Sequence, residues 1–118
     1  YSFNHYQSTY CLRVMQDNIK KVDFILKATS LYSGIQYNTL KQKSIRAATL
    51  IWRDLAMFVT TMIVGMHPSD AAKAFGVTKK TIIESNLRTL KFNQDKLDEI
   101  SYEIYELSKS LEEKKRAI

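Results

Sequence analysis

The chain has 118 residues, of which 45% are hydrophobic, and it contains only three glycines, one proline and one cysteine. This length allows one domain with its own core, and the composition favours a helix-rich globular chain over a β-sandwich or a disordered tail. The single Cys11 excludes an internal disulfide and suits a reducing compartment, and no apolar run is long enough to span a bilayer. We see no signal-peptide pattern, so we expect a cytoplasmic all-α protein.

The net charge of +6 is distributed unevenly along the chain. Residues 1–92 carry 13 Lys and Arg against 5 Asp and Glu, a net charge of +8, whereas residues 93–118 carry 5 against 7, a net charge of −2. Phosphate contacts and counterion release require cations gathered on one surface. The segregation therefore favours a nucleic-acid partner, and because no basic amphipathic helix with exposed aromatic residues is evident, we expect no membrane partner.

The first part of the chain predicts one amphipathic helix followed by irregular structure. Apolar residues recur at helical spacing from Gln7 to Lys27, whereas Ser, Thr, Asn and Gly cluster from Thr29 to Asn38. We expect a loop over the second range, and a short helical turn or a loop from Thr39 to Lys43. Three cations follow in quick succession and are candidates for a clamp on a nucleic-acid backbone: Lys41, Lys43 and Arg46.

The longest apolar segment predicts a central core helix from Ser44, a suitable N-cap, to Val64. Apolar residues leave it only a narrow polar strip, on which Arg53 is expected to stay available for DNA. Gly65 is placed to end the helix and Pro68 to prevent its continuation.

The segment 68–90 reads as a helix-turn-helix. Its frame requires a small residue where two helices cross, which is Ala72, and a residue that tolerates positive φ in the turn, which is Gly76. Thr78 then stands at an N-cap, so a recognition helix is expected to begin with Lys79 and Lys80. A basic helix presented by its N-terminal end is typical of proteins that read the major groove.

The last segment predicts a helix that begins after Asn93 and ends near Lys115. Apolar residues form a seam with heptad spacing at Leu90, Leu97, Ile104 and Leu111, with Ile100 and Leu107 between them. Two arrangements fit this seam. It packs against the first helix of its own chain, which we favour because that helix has a matching stripe, or it pairs two chains in a homodimer.

Together these segments resemble the C-terminal DNA-binding domain of the bacterial replication initiator DnaA, a Trp-repressor-like helix-turn-helix group. The resemblance covers about residues 19–111. It rests on 40–43 (Leu-Lys-Gln-Lys), 53–58 (Arg-Asp-Leu-Ala-Met-Phe), 74–76 (Ala-Phe-Gly) and Thr81. It implies an all-α, single helix-turn-helix domain spanning 1–118, with about five to six helices, a long central core helix and a long C-terminal helix. The N-terminal and C-terminal helical extensions are expected to pack together.

The resemblance also implies double-stranded DNA binding in replication initiation or transcription regulation, at the nucleoid. The family reads its DNA box with a stretch close to Arg-Asp-His-Thr-Thr-Val, where this chain has Thr-Lys-Lys-Thr-Ile-Ile at 78–83, and the family's minor-groove arginine is replaced by Ile51. We therefore do not expect recognition of the standard initiator box. The family pattern buries Ile83, whereas the repressor frame buries Ile82. The ATP-binding Gly-x-x-x-x-Gly-Lys of an initiator does not occur.

The predicted DNA contacts fall into two sets. The major-groove set is Lys79, Lys80, Thr81, Glu84, Ser85 and Arg88. The phosphate or minor-groove set is Lys41, Lys43, Arg46, Arg53 and Thr78.

A protein adaptor that keeps the fold and has lost DNA reading remains the alternative function. It would use the acidic last helix and the tyrosine-rich N-terminus to bind protein. An enzyme is not expected, because the sequence has no Cys-His pairing, no clustered carboxylates in an apolar pocket and no metal-ligand spacing. Cofactors, metals and small-molecule substrates are likewise not expected. Single-stranded or RNA binding is disfavoured because aromatic residues and cations are not interleaved.

Overall fold

The structure, a computed structural model, describes the backbone of residues 2–42 and 46–117 and the side chains of residues 12–42 and 46–116. Within these ranges the chain is all-helical and forms a single domain of six α-helices, which confirms the predicted fold class. The helices are α1 (Ser2–Ser33), α2 (Tyr37–Lys41), α3 (Ala47–Phe58), α4 (Pro68–Phe75), α5 (Lys79–Thr89) and α6 (Gln94–Ala117). None of the helices in the described ranges is long and apolar enough to cross a membrane.

Helix α1 is longer than the sequence predicted. The expected loop from Thr29 to Asn38 is wrong at its beginning, because the helix continues to Ser33 and ends before Gly34, whose φ is +80°. The Thr29 hydroxyl donates to the backbone oxygen of Ile25 at 2.7 Å, and Thr29 is fully buried. Its polar group is thus satisfied inside the helix, so a residue type that favours turns does not interrupt it.

Helix α2 lies slightly earlier than the predicted turn from Thr39 to Lys43 and is anchored by Leu40, which is fully buried. Lys43 and the expected N-cap Ser44 lie outside the described residues. The N-cap of α3 is Arg46, whose side chain makes no capping hydrogen bond.

Helix α3 was predicted to continue without change to Val64. Its last turn instead widens into a π-helical segment, Val59–Ile63. The Thr60 hydroxyl donates to the oxygen of Ala56 at 2.8 Å and the Thr61 hydroxyl to the oxygen of Met57 at 3.0 Å. Such bonds compete with the regular backbone pattern, and π-turns occur where this pattern is disturbed. Gly65 follows with a φ of +84°, as expected for a glycine that ends a helix.

Helix α3 and the π-helical segment form the centre of the core, as predicted. The largest continuous buried stretch runs from Arg53 to Thr61. Apolar residues of every helix pack around it, including Val22, Ile25, Leu40, Ala71, Ile82, Leu97 and Ile104.

Helix α6 packs against α1 of the same chain. Leu97 and Ile104 of the predicted seam are buried, and Leu111 is partly buried. Leu90 does not belong to the seam: it is the C-cap of α5, lies outside α6 and is 45% exposed. Asn93 caps α6 by accepting from the backbone nitrogens of Asp95 and Lys96. The seam therefore packs against α1 of the same chain, which is the arrangement that the sequence analysis favoured; pairing of two chains stays an untested alternative.

Candidate nucleic-acid interface

The helix-turn-helix forms at the predicted position. Helix α4 begins after His67, whose Nδ1 accepts from the backbone nitrogen of Ser69 at 3.1 Å, and it ends at Gly76. Gly76 has a φ of +72°, a left-handed conformation that glycine adopts without strain. Ala72, the small residue that the helix-turn-helix frame requires, is buried, and so is its neighbour Ala71.

Thr78 is the N-cap of α5. Its Oγ1 accepts from the backbone nitrogen of Thr81 at 3.2 Å, and the two threonine hydroxyls lie 2.9 Å apart. This bond satisfies one of the backbone donors that a helix leaves open at its start. The cap fixes the point from which α5 projects, and it also engages the hydroxyl of Thr81, one of the predicted base-reading groups.

Lys79 and Lys80 are both exposed on the first turn of α5. The side chain of Lys80 is 84% exposed, and its Nζ lies 3.9 Å from Glu84 Oε1, at the outer limit of an ion pair. So exposed a pair restrains the lysine weakly. Both lysines and Glu84 are therefore exposed to solvent on α5, as the sequence predicted.

The inward face of α5 differs from the predicted one at two positions. Ile82 is fully buried and Ile83 is 44% exposed, so the repressor frame is correct and the burial of Ile83 implied by the family pattern is wrong. Ser85 is fully buried and donates to Asp54 Oδ1 at 2.7 Å. Its expected place on the exposed side of the recognition helix is wrong, because this hydroxyl bonds α5 to α3.

Arg88 of the predicted major-groove set also turns towards α3. Its Nε donates to Asp54 Oδ2 at 2.9 Å and its Nη2 to Asp54 Oδ1 at 3.0 Å. The hydrogen bonds to Asp54 raise the pKa of Arg88 above its ordinary value. The Arg88 side chain stays 44% exposed while that of Asp54 is 6% exposed. Arg88 therefore lies at the edge of the exposed face, with its Nε and Nη2 donors directed inward to Asp54.

Arg53, expected in the phosphate clamp, is 6% exposed, so its predicted position on an available polar strip is wrong. Its Nη1 donates to the backbone oxygen of Gln42 at 2.9 Å, and burial lowers its pKa from the ordinary value. Arg53 thus joins α3 to the segment that follows α2. Lys41 and Arg46 are exposed as predicted, and the Lys41 ammonium lies 5.0 Å from the centre of the Tyr37 ring.

A groove of about 550 Å³ lies between α3 and the turn of the helix-turn-helix. It brings together four of the predicted residues: Arg53, Thr78, Thr81 and Arg88. Among the other predicted residues that the structure describes, none lines this groove, and Lys79, Lys80 and Glu84 lie on the outer face of α5. The predicted site is therefore an exposed helix face with a concave groove at its base.

Two residues on the exposed face of α5 were missed by sequence reasoning. Ile83 and Leu87 are 44% and 57% exposed, and they share a helical face with Lys80 and Glu84. Apolar residues at helical spacing are ordinarily assigned to the core, which is why both were overlooked. The sequence gives no signal for this, because two of the three residues that α5 buries, Ser85 and Thr89, are polar.

The described residues contain no group of three or more His, Cys, Asp or Glu side chains that could hold a metal ion. No protein-family model matches the chain, and no curated protein matches it.

Proposed function

We propose that this protein binds double-stranded DNA by presenting the N-terminal half of α5 to the major groove. The observation that supports this most directly is the position of Lys79 and Lys80. The first turn of α5 contains no acidic residue. Cations at a helix N-terminus are opposed by the helix macrodipole, so two lysines there lower the stability of the free helix. An anionic partner converts this cost into a binding contribution.

Each residue of the exposed face has a chemical role in such a complex. Lysine donates to guanine O6 and N7 or to phosphate, and Glu84 accepts from cytosine N4. The apolar Ile83 and Leu87 suit contact with thymine methyl groups, which line the same groove. Each well-formed base contact contributes roughly 1–3 kcal/mol of discrimination.

The resemblance of the sequence to the DnaA C-terminal domain supports the same function. It suggests a role at the nucleoid, in replication initiation or in transcription regulation. Because the base-reading stretch at 78–83 departs from the family pattern, we expect a target other than the standard initiator box.

The test is the salt dependence of duplex binding, measured by fluorescence anisotropy for the wild type and for the double variant Lys79→Ala/Lys80→Ala. Each lost phosphate contact lowers the slope of log K against log salt by about 0.9, so we expect a slope shallower by up to about 1.8 together with weaker binding. If the lysines contact bases instead, affinity falls with little change of slope.

The matched control is Lys20→Ala/Lys21→Ala, which removes the same charge from an adjacent lysine pair on α1. That pair lies beside Glu112 and Lys115, near the end of α6. Helix α6 has 24 residues and is therefore roughly 35 Å long. Its first residue lies just after the end of α5, whereas Lys20 and Lys21 lie near its last residues. Wild-type affinity in the α5 variant, or equal losses in both variants, would contradict a reading role for α5.

A protein adaptor is the second candidate function, and one observation favours it. Besides Ile83 and Leu87, Leu90 and Phe92 are 45% and 48% exposed at the end of α5 and just beyond it. Exposed apolar residues in succession are typical of protein-binding surfaces. An adaptor would show no binding to random duplexes at low salt, whereas the proposed DNA-binding protein would.

A further inference from the structure

The contact between α5 and α3 is unusually polar on the α5 side. Helix α5, all of whose side chains are described, buries Ile82, Ser85 and Thr89. Only the first is a large apolar residue. Hydrophobic burial is non-directional, so one buried isoleucine holds α5 against the core without fixing its rotation about its own axis. The rotation must be set by directional bonds.

Asp54 of α3 supplies these bonds. It is 4% exposed, and both of its carboxylate oxygens accept hydrogen bonds from α5. Oδ1 accepts from Ser85 Oγ at 2.7 Å and from Arg88 Nη2 at 3.0 Å, while Oδ2 accepts from Arg88 Nε at 2.9 Å. A bidentate arginine–carboxylate pair is geometrically specific, because two parallel bonds must align.

The two donors lie three residues apart on α5, so they occupy successive turns of one helix face. A single carboxylate that holds both restricts rotation of α5 and its displacement along its axis. A fourth bond, from Asn86 Nδ2 to Thr61 Oγ1 at 2.9 Å, joins α5 to the π-helical segment. Asp54 nevertheless accepts three of these four bonds, and its carboxylate is the only charged acceptor among them.

We propose that Asp54 is the positioning residue of α5, setting the rotation and register of this helix and thereby which side chains it presents to DNA. The part of this inference that concerns DNA rests on the proposed function. Asp54 itself is buried and touches no duplex. It acts through Ser85 and Arg88, and the face it turns outward carries Lys80, Ile83, Glu84 and Leu87.

A measurement without DNA tests the positioning role first. Residual dipolar couplings of backbone amides report the orientation of α5 relative to α1 and α6 in the wild type, Asp54→Asn and Asp54→Ala. Asp54→Asn keeps an acceptor for Ser85 and a similar volume, whereas Asp54→Ala leaves Ser85 without a partner. We expect the α5 couplings to change in both variants, more in Asp54→Ala, and amide exchange in α5 to accelerate at least tenfold.

The matched control is Asp98→Asn, which removes an exposed carboxylate that accepts from Gln94 on α6. It should leave the α5 couplings at wild-type values. Wild-type α5 couplings in a folded Asp54→Asn protein would overturn the positioning role. If Asp54→Ala does not fold, the asparagine variant decides.

A binding measurement tests the consequence for DNA. The affinity for a duplex selected from a random pool is compared with that for random duplexes, well below the unfolding temperature of each variant. We expect Asp54→Asn to reduce this ratio at least tenfold with little change in salt slope, because the cations remain while their placement changes. A residue that only stabilised the fold would lower the unfolding temperature and leave the ratio unchanged.

The two measurements separate the possible failures. If the wild type binds no duplex, the proposed function fails while the couplings still decide the role of Asp54. If the wild type discriminates between duplexes and Asp54→Asn retains the full ratio, control of DNA reading by Asp54 is wrong.

Discussion

At the scale of single residues, the hydrogen bond between Tyr37 of α2 and Asp23 of α1 makes stability depend on pH. Burial, followed by this hydrogen bond, raises the pKa of Tyr37 to about 12. Burial would raise the pKa of Asp23, but the bonds from Tyr37 and Lys27 outweigh it and lower that pKa. The neutral phenol and the charged carboxylate are thus the forms that the fold stabilises.

We predict that the stability supplied by Tyr37 is fully present below pH 10, the ordinary pKa of tyrosine, and is lost as the pH rises towards 12. A shift of this size corresponds to at most about 2 kcal/mol once solvent screening of a partly exposed pair is included. The measurement is urea unfolding of the wild type and Tyr37→Phe at pH 9 and pH 11. The difference in the free energy of unfolding between the two proteins should be smaller at pH 11 than at pH 9. An equal difference at both pH values would contradict a stabilising hydrogen bond between Tyr37 and Asp23.

Arg53 provides a second prediction at this scale. Since it is buried and bonded to the backbone of Gln42, Arg53→Ala should lower the free energy of unfolding by roughly 2–3 kcal/mol, through lost packing and an unsatisfied carbonyl. Arg46→Ala removes an exposed arginine of the same predicted clamp and should change stability by less than about 0.5 kcal/mol. Chemical denaturation of both variants is the measurement. If both variants change stability by the same small amount, the buried position of Arg53 and its bond to Gln42 contribute nothing to stability, and the prediction is wrong.

At the scale of elements, the turn between α4 and α5 depends on the left-handed conformation of Gly76. A Cβ at this position would meet nothing within 4 Å, so the cost of a side chain there is conformational alone. We predict that Gly76→Ala lowers the free energy of unfolding by about 1–2 kcal/mol, whereas Gly76→Asn, which tolerates this conformation better, costs less. Thermal unfolding of both variants shows which substitution lowers stability more. An equal loss of stability in the two variants would contradict a purely conformational cause.

The sequence predicted helix ends and turns well where a single residue type determines them. Gly76, Thr78 and Asn93 each act on backbone groups within a few residues, so their roles follow from residue type and position. The loop predicted from Thr29 failed because its hydroxyl is satisfied within α1. The π-helical turn was likewise missed, since the alternative bonding of Thr61 depends on its setting in the core.

The candidate site was predicted only where its residues face solvent. Lys79 and Lys80 extend from a helix end that the cap fixes, so their exposure follows from local rules. Ser85 and Arg88 turn inward because Asp54, more than thirty residues away in sequence, offers its carboxylate. No periodicity argument detects such a pairing, since all three residue types are ordinarily counted as surface.

At the scale of the whole molecule, α1 packs against α3, α4 and α6, whereas α6 packs against α1 and the π-helical segment. The acidic part of the sequence lies on α6, while the cations proposed to contact DNA lie on α5 and near the start of α3. The net charge thus differs in sign between the two helices: α6 carries seven Asp and Glu against five Lys and Arg, whereas α5 carries three Lys and Arg against Glu84. If the protein binds DNA as proposed, its rate of association with a duplex should fall as salt screens the lysines of α5.

Because α6 packs on α1 of the same chain, unfolding should not depend on protein concentration. We predict that Ile104→Ala, which removes a fully buried side chain, lowers the free energy of unfolding by roughly 2–5 kcal/mol. Tyr102→Ala, on the exposed side of the same helix, should cost far less. Because the contact lies within one chain, the urea midpoints of the wild type and both variants should not move across a hundredfold range of protein concentration. A midpoint that rises with concentration would show that two chains share the seam, since dissociation would then be part of unfolding.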